Sequence, residues 1–337
     1  MTAKLRWGIL STGRIAHAFA RDLKTARRGA AVAVASRDKD TACEFADEHG
    51  IPRAHGTYDD LLNDPEIEAV YIAPPHNLHA EWAIRAAEAG KHILCEKPIG
   101  LNAREAHSII EAARGRDVFL MEAFMYRCHP QIGELIRLLR EKAIGAVKLI
   151  QANFSFKADF DLDSRLFNPT FGGGGILDVG CYCTSMSRLL AGVATGREFA
   201  EPVELVGCGT IGHESGVDEC AIAAVEFPGG VLAQLSTGIL AEQEEVVRIY
   251  GTEGRIILDS PWLPQKEGRQ PILRVIPNVG KPRELLVESD RGLYALEADL
   301  VAESLPNRQA PWPAMSWEDT LGNMRMLDRW RAAIGLE

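Results

Sequence analysis

Short apolar runs and helix-period segments alternate through the first third of the chain. Residues 5–10, 31–35, 68–73, 91–96 and 118–122 are apolar runs closed off by Gly, Pro, Ser or charged residues, the pattern of strands buried on both faces. Between them, apolar residues recur at helical spacing in segments ending near Thr25, over 42–48 and 58–63, up to about Ala89, and over 102–114, with a short strand at 54–56. Asn102 is the expected N-cap of the last of these helices. Strand and helix in alternation with short loops predict a parallel sheet with right-handed crossovers. A further helix is expected over 131–142.

Beyond Gly145 the strands lengthen and alternate in polarity, at 147–157, 202–210, 220–227, 230–237 and 244–250. Phe227-Pro228-Gly229-Gly230 and Gly251-Thr252-Glu253-Gly254 read as hairpin turns, so this half is expected to be an antiparallel sheet with one face under helices. The fold class is therefore α/β with a second α+β domain. The boundaries fall at 1–125 for the parallel-sheet domain and 126–315 for the antiparallel one. The stretch 262–282 reads as a long loop without an assigned role.

Ligands in doubly wound sheets sit at the carboxyl ends of the strands, and the chemistry-bearing residues cluster there. The first strand runs into Ser11-Thr12-Gly13-Arg14-Ile15-Ala16, a degenerate dinucleotide fingerprint in which Gly13 lets the backbone approach a pyrophosphate and the following helix offers its N–H groups. An ordinary strand-turn-helix is the plainer reading of that stretch alone. The second strand ends in Ser36-Arg37-Asp38, where NAD-binding chains carry an acid for the ribose hydroxyls. A hydroxyl and a guanidinium suit a 2′-phosphate, so NADP is expected, with NAD as the alternative. Arg37 stacking on the adenine, a solvated Arg37, and Asp38 reaching the ribose are the competing readings. The fourth ends in Pro74-Pro75-His76-Asn77-Leu78-His79, where a first-turn histidine either donates to a cofactor oxygen or caps and packs locally, the cofactor reading being stronger for His79 than for His76. The fifth ends in Glu96-Lys97-Pro98, with Glu96 expected at a ribose hydroxyl. Further on, four glycines at 172–175 let the backbone turn and approach a ligand, and a helix then carries Asp178 and Tyr182 four residues apart on one face. Lysine, phenol and carboxylate are the parts needed to move a proton while a hydride leaves or arrives. Taken singly, Tyr182 is also a core tyrosine and Asp178 a helix-start acid.

Composition narrows the classes. Hydrophobic residues make up 46% and charged residues 25% of 337 residues, as in a water-soluble globular chain of two domains. A net charge of -10 argues against a nucleic-acid surface, so anionic ligands must meet local positive groups. No apolar run reaches the roughly 18 residues of a membrane span, and no signal-peptide core follows Met1, so a cytoplasmic location is expected. The seven cysteines show no paired C-x-x-C spacing and are expected to be reduced apolar fillers. Cys181-Tyr182-Cys183 with His129 matches no standard zinc pattern, so no metal is expected.

Together Trp7-Gly8-Ile9, Cys95-Glu96-Lys97-Pro98, Met121-Glu122-Ala123, Gly173-Gly174-Gly175, Asp178-Val179-Gly180 and Tyr182 resemble the glucose-fructose oxidoreductase, inositol dehydrogenase and MocA (Gfo/Idh/MocA) family over nearly the whole chain. Within it the chain is most similar to the branch of dimeric dihydrodiol and NADP-dependent D-xylose dehydrogenases. The resemblance implies a Rossmann domain, an open-faced mostly antiparallel sheet, and a closing helix over 316–335 that packs back on the first domain. It implies that Lys97 stands beside the nicotinamide and the substrate hydroxyl, that Tyr182 exchanges the proton, that Asp178 orients the substrate or biases the lysine and tyrosine, and that Lys97-Pro98 is a cis peptide. Ser11 departs from the family's usual first glycine, and Tyr182 stands where inositol-type members carry histidine.

The cofactor contacts expected are Ser11, Thr12, Gly13, Arg14, Ile15, Ser36, Arg37, Pro74, His79, Glu96, Lys97 and Arg127, and Phe154, Arg165 and Phe167 are expected at the substrate. The substrate expected is a sugar, polyol or cyclic trans-diol, and the free face of the second sheet is expected to form a homodimer or homotetramer. Two alternatives share the fold: a redox-neutral NAD-dependent glycosidase and a non-catalytic NADP sensor.

Overall fold

In the computed structural model, which describes residues 4–266 and 268–336, the chain divides into two compact units. The first comprises Met1–Cys128 and Asp290–Thr320, and the second His129–Ser289 and Leu321–Glu337.

The first unit is a six-stranded sheet built from β1 (Leu5–Leu10), β2 (Gly29–Ala35), β3 (Ala54–His55), β4 (Ala69–Ile72), β5 (His92–Glu96) and β6 (Leu120–Ala123) in the order β3-β2-β1-β4-β5-β6. Every pair is parallel. This is the doubly wound arrangement that the near-continuous apolar strands predict, and β4 is buried at all its positions because helices cover both faces. The crossovers are α1 (Arg14–Leu23), α2 (Lys39–His49), α3 (Tyr58–Leu62), α4 (His79–Glu88) and α5 (Ala103–Gly115). α1 turns Ala16, Phe19, Ala20 and Leu23 inward, and Phe19 stacks on Tyr71 of β4 with ring centroids 3.9 Å apart. Asn102 caps α5 as expected, its side chain accepting from the Glu105 N–H.

The chain returns to this unit after Ser289, which the sequence reading does not foresee. The helix Leu293–Ser304 docks through Asp299, whose carboxylate accepts from the backbone N–H groups of Arg27 and Arg28 at 3.0 and 2.7 Å. Such a pairing spans more than 270 positions and leaves no local pattern. The domain expected over 126–315 is corrected accordingly.

The second unit contains α6 (Pro130–Arg140), α7 (Cys181–Ala194) and an eight-stranded sheet. Its strands are β7 (Val147–Ser155), β8 (Glu204–Ile211), β9 (Asp218–Phe227), β10 (Val231–Gly238), β11 (Val246–Gly251), β12 (Gly254–Leu258), β13 (Ile272–Pro277) and β14 (Arg283–Leu286). They lie in the order β14-β13-β12-β11-β7-β10-β9-β8, and β7–β10 is the one parallel pair. Both expected hairpin turns join antiparallel neighbours, β9 to β10 and β11 to β12. The stretch read as a loop at 262–282 instead contributes β13, whose short run is broken up by flanking polar residues.

The helix Trp317–Ala333 begins in the first unit and ends in the second. Its first turn carries Asp319, paired with Arg127 at 2.5 Å, both side chains being essentially inaccessible. Breaking such a pair by removing one partner costs about 3–5 kcal/mol. Further along, Asn323 donates to the Cys181 carbonyl and Trp330 Nε1 to the Ile222 carbonyl, so most of this helix packs in the second unit rather than against the first. No helix among the described residues is long and apolar enough to cross a membrane.

Candidate active site

The ends of β1 and β2 in the first unit form an anion-accepting edge. Ser11 takes a positive φ of 97°, the conformation for which the usual fingerprint has glycine, and its Oγ accepts from the Gly13 N–H at 3.2 Å. α1 then starts at Arg14 with no side chain capping it, so its first N–H groups remain open to a phosphate. Thr12 and Ile15 are half-buried, while Gly13 and Arg14 are exposed. At the end of β2, Ser36 Oγ accepts from the Asp38 N–H. Asp38 is the N-cap of α2, accepting from the Thr41 N–H and hydroxyl at 2.8 Å each, and these bonds hold its pKa below the usual carboxylate value. The carboxylate is thus committed to the helix. Arg37 beside it is exposed and makes no hydrogen bond or ion pair with another described residue. These groups fit a dinucleotide with an added phosphate: open N–H groups for the pyrophosphate and a guanidinium where an acid would repel.

The end of β5 is built more rigidly. Lys97 and Pro98 are joined by a cis peptide, and the backbone around them is held by three side chains. Glu96, 6% exposed, receives the Tyr71 hydroxyl on one oxygen and the Lys97 N–H, at 3.3 Å, on the other. Glu122 at the end of β6 receives the Ile99 N–H at 3.0 Å. The ring nitrogens of His79 lie 2.8 Å from the Pro98 carbonyl and 2.9 Å from the Pro74 carbonyl.

Three of the residues expected at the cofactor also hold the protein together. His79 is fully enclosed with its ring nitrogens on two carbonyls and braces two loops. Both Glu96 oxygens receive hydrogen bonds from the protein, which anchors the backbone at Lys97. Arg127, 2% exposed, donates to Asp319 and to the Pro313 carbonyl and is a buried tie. Pro74 is buried and contributes its carbonyl to His79. Lys97 is half-buried at the tip of this braced turn.

Sequence reasoning missed Glu122 and Glu297. The latter, on the helix Leu293–Ser304, has no exposed surface; burial first and the Glu96 charge second push its pKa well above the usual carboxyl value. Cys95 behind the same strand end is likewise pushed up, chiefly by burial, which keeps its thiol unreactive.

Asp178 and Tyr182 belong to the second unit. They sit where a single π turn, Ile176–Gly180, runs into α7, so the regular helix expected there is corrected by one wide turn, a feature common at functional sites. Tyr182 is 4% exposed and forms an aromatic wall with Phe154 and Trp262, at ring centroid distances of 5.2 and 5.8 Å. Asp178, equally buried, receives Arg165 Nη1 at 2.9 Å, while Arg165 itself is exposed. Phe167, expected at the substrate, is 1% exposed and packs with Val217 and Ile239.

The glycines before the π turn approach protein rather than a ligand. A Cβ on Gly173 would lie 2.6 Å from the Leu166 carbonyl oxygen, and one on Gly175 3.0 Å from the Gly238 Cα. Gly174, at φ 100°, would bring a Cβ within 2.1 Å of Asp218 Oδ1. Asp218 is 1% exposed, receives the Ile176 N–H at 2.6 Å, and has its pKa pushed up to about 7 by burial, against the pull of that N–H. The cysteines flanking Tyr182 donate to carbonyls, Cys181 to Asp178 and Cys183 to Ser236, and His129 contacts Gln265.

Comparison with known proteins agrees with this architecture. Residues 5–124 match a family described as "Oxidoreductase family, NAD-binding Rossmann fold", and residues 132–257 match the "GFO/IDH/MocA C-terminal domain". The chain is 33% identical to trans-1,2-dihydrobenzene-1,2-diol dehydrogenase of Sus scrofa, over 98% of this chain and 97% of that one. It is 36% identical to a D-xylose 1-dehydrogenase (NADP(+)) of Haloferax volcanii over 75% of each. A 3-ketoreductase of Actinomadura kijaniata, solved with NADP and TDP-benzene, superposes with a TM-score of 0.86 at 26% identity over 98% of both chains.

Two outcomes are expected from the glycine loop. Gly174→Ala forces a Cβ into the Asp218 carboxylate at a positive φ and is expected to destabilise by about 2–4 kcal/mol, read by denaturant melts. Because the Asp218 pKa of about 7 lies above the unfolded value near 3.9, its contribution is full below about pH 4 and is lost as pH rises towards 7. Asp218→Asn should therefore gain stability relative to the parent between pH 4 and 8, by on the order of 1–3 kcal/mol. Parallel urea curves with a pH-independent difference would contradict this.

Proposed function

The chain belongs to the Gfo/Idh/MocA oxidoreductase family, an NAD(P)-dependent group of enzymes, and on that basis we propose that it is an NADP-dependent dehydrogenase of a sugar, polyol or cyclic trans-diol. The first unit holds the cofactor and the second takes the substrate. The observation that carries this reading is the braced end of β5, where Glu96, Glu122 and His79 hold the backbone that presents Lys97.

The cofactor is held through the open start of α1, the Ser11–Ile15 turn, Ser36 and Arg37. Commitment of Asp38 to its helix cap, with Arg37 left exposed, favours a 2′-phosphate over a bare ribose. When bound, the dinucleotide accepts or supplies the hydride. Tyr182 takes the proton from the substrate hydroxyl in oxidation and returns it in reduction, and Lys97 supports this exchange electrostatically. Asp178, held by Arg165, orients the substrate, and Phe154 with Trp262 provides an apolar wall for a ring face.

The choice of substrate class follows the names of the relatives, which act on a dihydrobenzene diol and on D-xylose. Assembly into a homo-oligomer is supported by Val206, Ile222 and Leu232, which share the outward face of β8, β9 and β10 and remain half exposed.

The test is nicotinamide absorbance in both directions with NADP and NAD, across aldoses, polyols and cyclic trans-diols. Turnover with NADP is expected, and tight cofactor binding with no absorbance change on any of them would overturn the proposal. Tyr182→Phe should lose about 10²- to 10⁴-fold in kcat with cofactor affinity retained. Arg37→Ala should weaken NADP far more than NAD; equal losses for both would remove the phosphate role.

A further inference from the structure

In the first unit, α1 and α2 bring together three side chains that the proposed reaction does not use. His17 projects from α1, and Glu48 with His49 closes the last turn of α2. Their ligand-type atoms all lie within 4.8 Å of one another, and among the described residues this is the one such group of His, Cys, Asp or Glu. His17 Nδ1 faces His49 Nε2 at 2.7 Å, and Glu48 Oε1 faces both, at 3.4 Å from the first and 3.5 Å from the second.

We propose that His17, Glu48 and His49 form a binding site for a divalent transition-metal ion, Zn²⁺ being the best fit, that clips α1 to α2. Two imidazoles and one carboxylate are a donor set this ion accepts. With metal–ligand bonds of about 2.0–2.1 Å, the ligand atoms of a tetrahedral site lie roughly 3.3–3.5 Å apart. The two separations involving Glu48 already have that value. The contact between the two rings is shorter because one proton lies between them, one nitrogen donating to the other. For both nitrogens to turn a lone pair inward, the ring carrying that proton moves it to its outer nitrogen and the rings part by roughly half an ångström. No proton need be lost, and water completes the coordination.

The surroundings support a bound ion and limit its affinity. Phe45 packs against both rings, with centroids 4.5 Å from each, fixing their planes. His49 has its side chain 7% exposed, so its ring is fixed between the two helices. Glu48 is 61% exposed and gives the ion an entry path. Lys24 and Arg21 lie near enough to oppose a cation. A weaker site follows than a tight structural one. The clip joins the helix that begins at the Gly13–Arg14 turn to the helix capped by Asp38, and it is independent of the reaction assigned to the protein.

The test uses tag-free protein stripped with a chelator and titrated with Co²⁺, then Zn²⁺. Expected are one Co²⁺ per chain with visible bands of nitrogen and oxygen ligation, no thiolate charge-transfer absorption, displacement by Zn²⁺, and a raised melting temperature with Zn²⁺. His17→Gln and Glu48→Gln, both at accessible side chains, should each weaken Co²⁺ binding about tenfold or more. The proposal is overturned by absence of binding in the parent, by affinities unchanged in both variants, or by a thiolate signature assigning the ion to the cysteines.

Discussion

Three backbone polar groups around the Lys97-Pro98 peptide are tied to buried side chains. The Lys97 N–H goes to Glu96, the Ile99 N–H to Glu122, and the Pro98 carbonyl to His79. Two of these partners are themselves held, Glu96 by the Tyr71 hydroxyl and His79 by the Pro74 carbonyl. In a low-dielectric interior such bonds are costly to leave unmade, so the turn has few alternatives and the lysine at its tip inherits that rigidity. The arrangement depends on β4, β5 and β6 being adjacent and parallel, because Tyr71, Glu96 and Glu122 come from three successive strands.

The second unit uses a different device for the same end. Its tyrosine and carboxylate are placed by a loop without side chains wrapped around a buried acid. Gly173, Gly174 and Gly175 pack against Leu166, Asp218 and Gly238 so closely that a methyl group at any of them would collide or crowd. The Asp218 carboxyl then takes the N–H that opens the π turn, which sets the start of the helix carrying Tyr182. A half-ionised group in that position couples the loop to pH, whereas the aromatic wall of Phe154 and Trp262 does not titrate.

Charge is handled locally throughout. The protein carries a net charge of -10, yet the ends of β1 and β2 offer an uncapped helix start and an exposed guanidinium. Acids that would repel a phosphate are withdrawn into caps or pairs, as Asp38 is by Thr41. The overall charge therefore matters less to an anionic ligand than the few groups within a screening length of it.

What the sequence determined by itself was whatever repeats over short distances. Period and run length gave the six strands of the first sheet and five of the eight in the second, Asn102 gave a helix start, and the residue types after each strand marked the edge where ligands sit. The tertiary structure decided what each polar side chain is used for. His79, Glu96 and Arg127 have residue types suited to a ligand, but partners 5, 25 and 192 positions away use them to brace the fold. Phe167 became core, Asp218 emerged under the glycine loop, and residues after Ser289 rejoined the first unit. The physical reason is that periodicity records only which face is buried, while a hydrogen bond or ion pair is chosen among all groups the folded chain brings within reach, most of them distant in sequence.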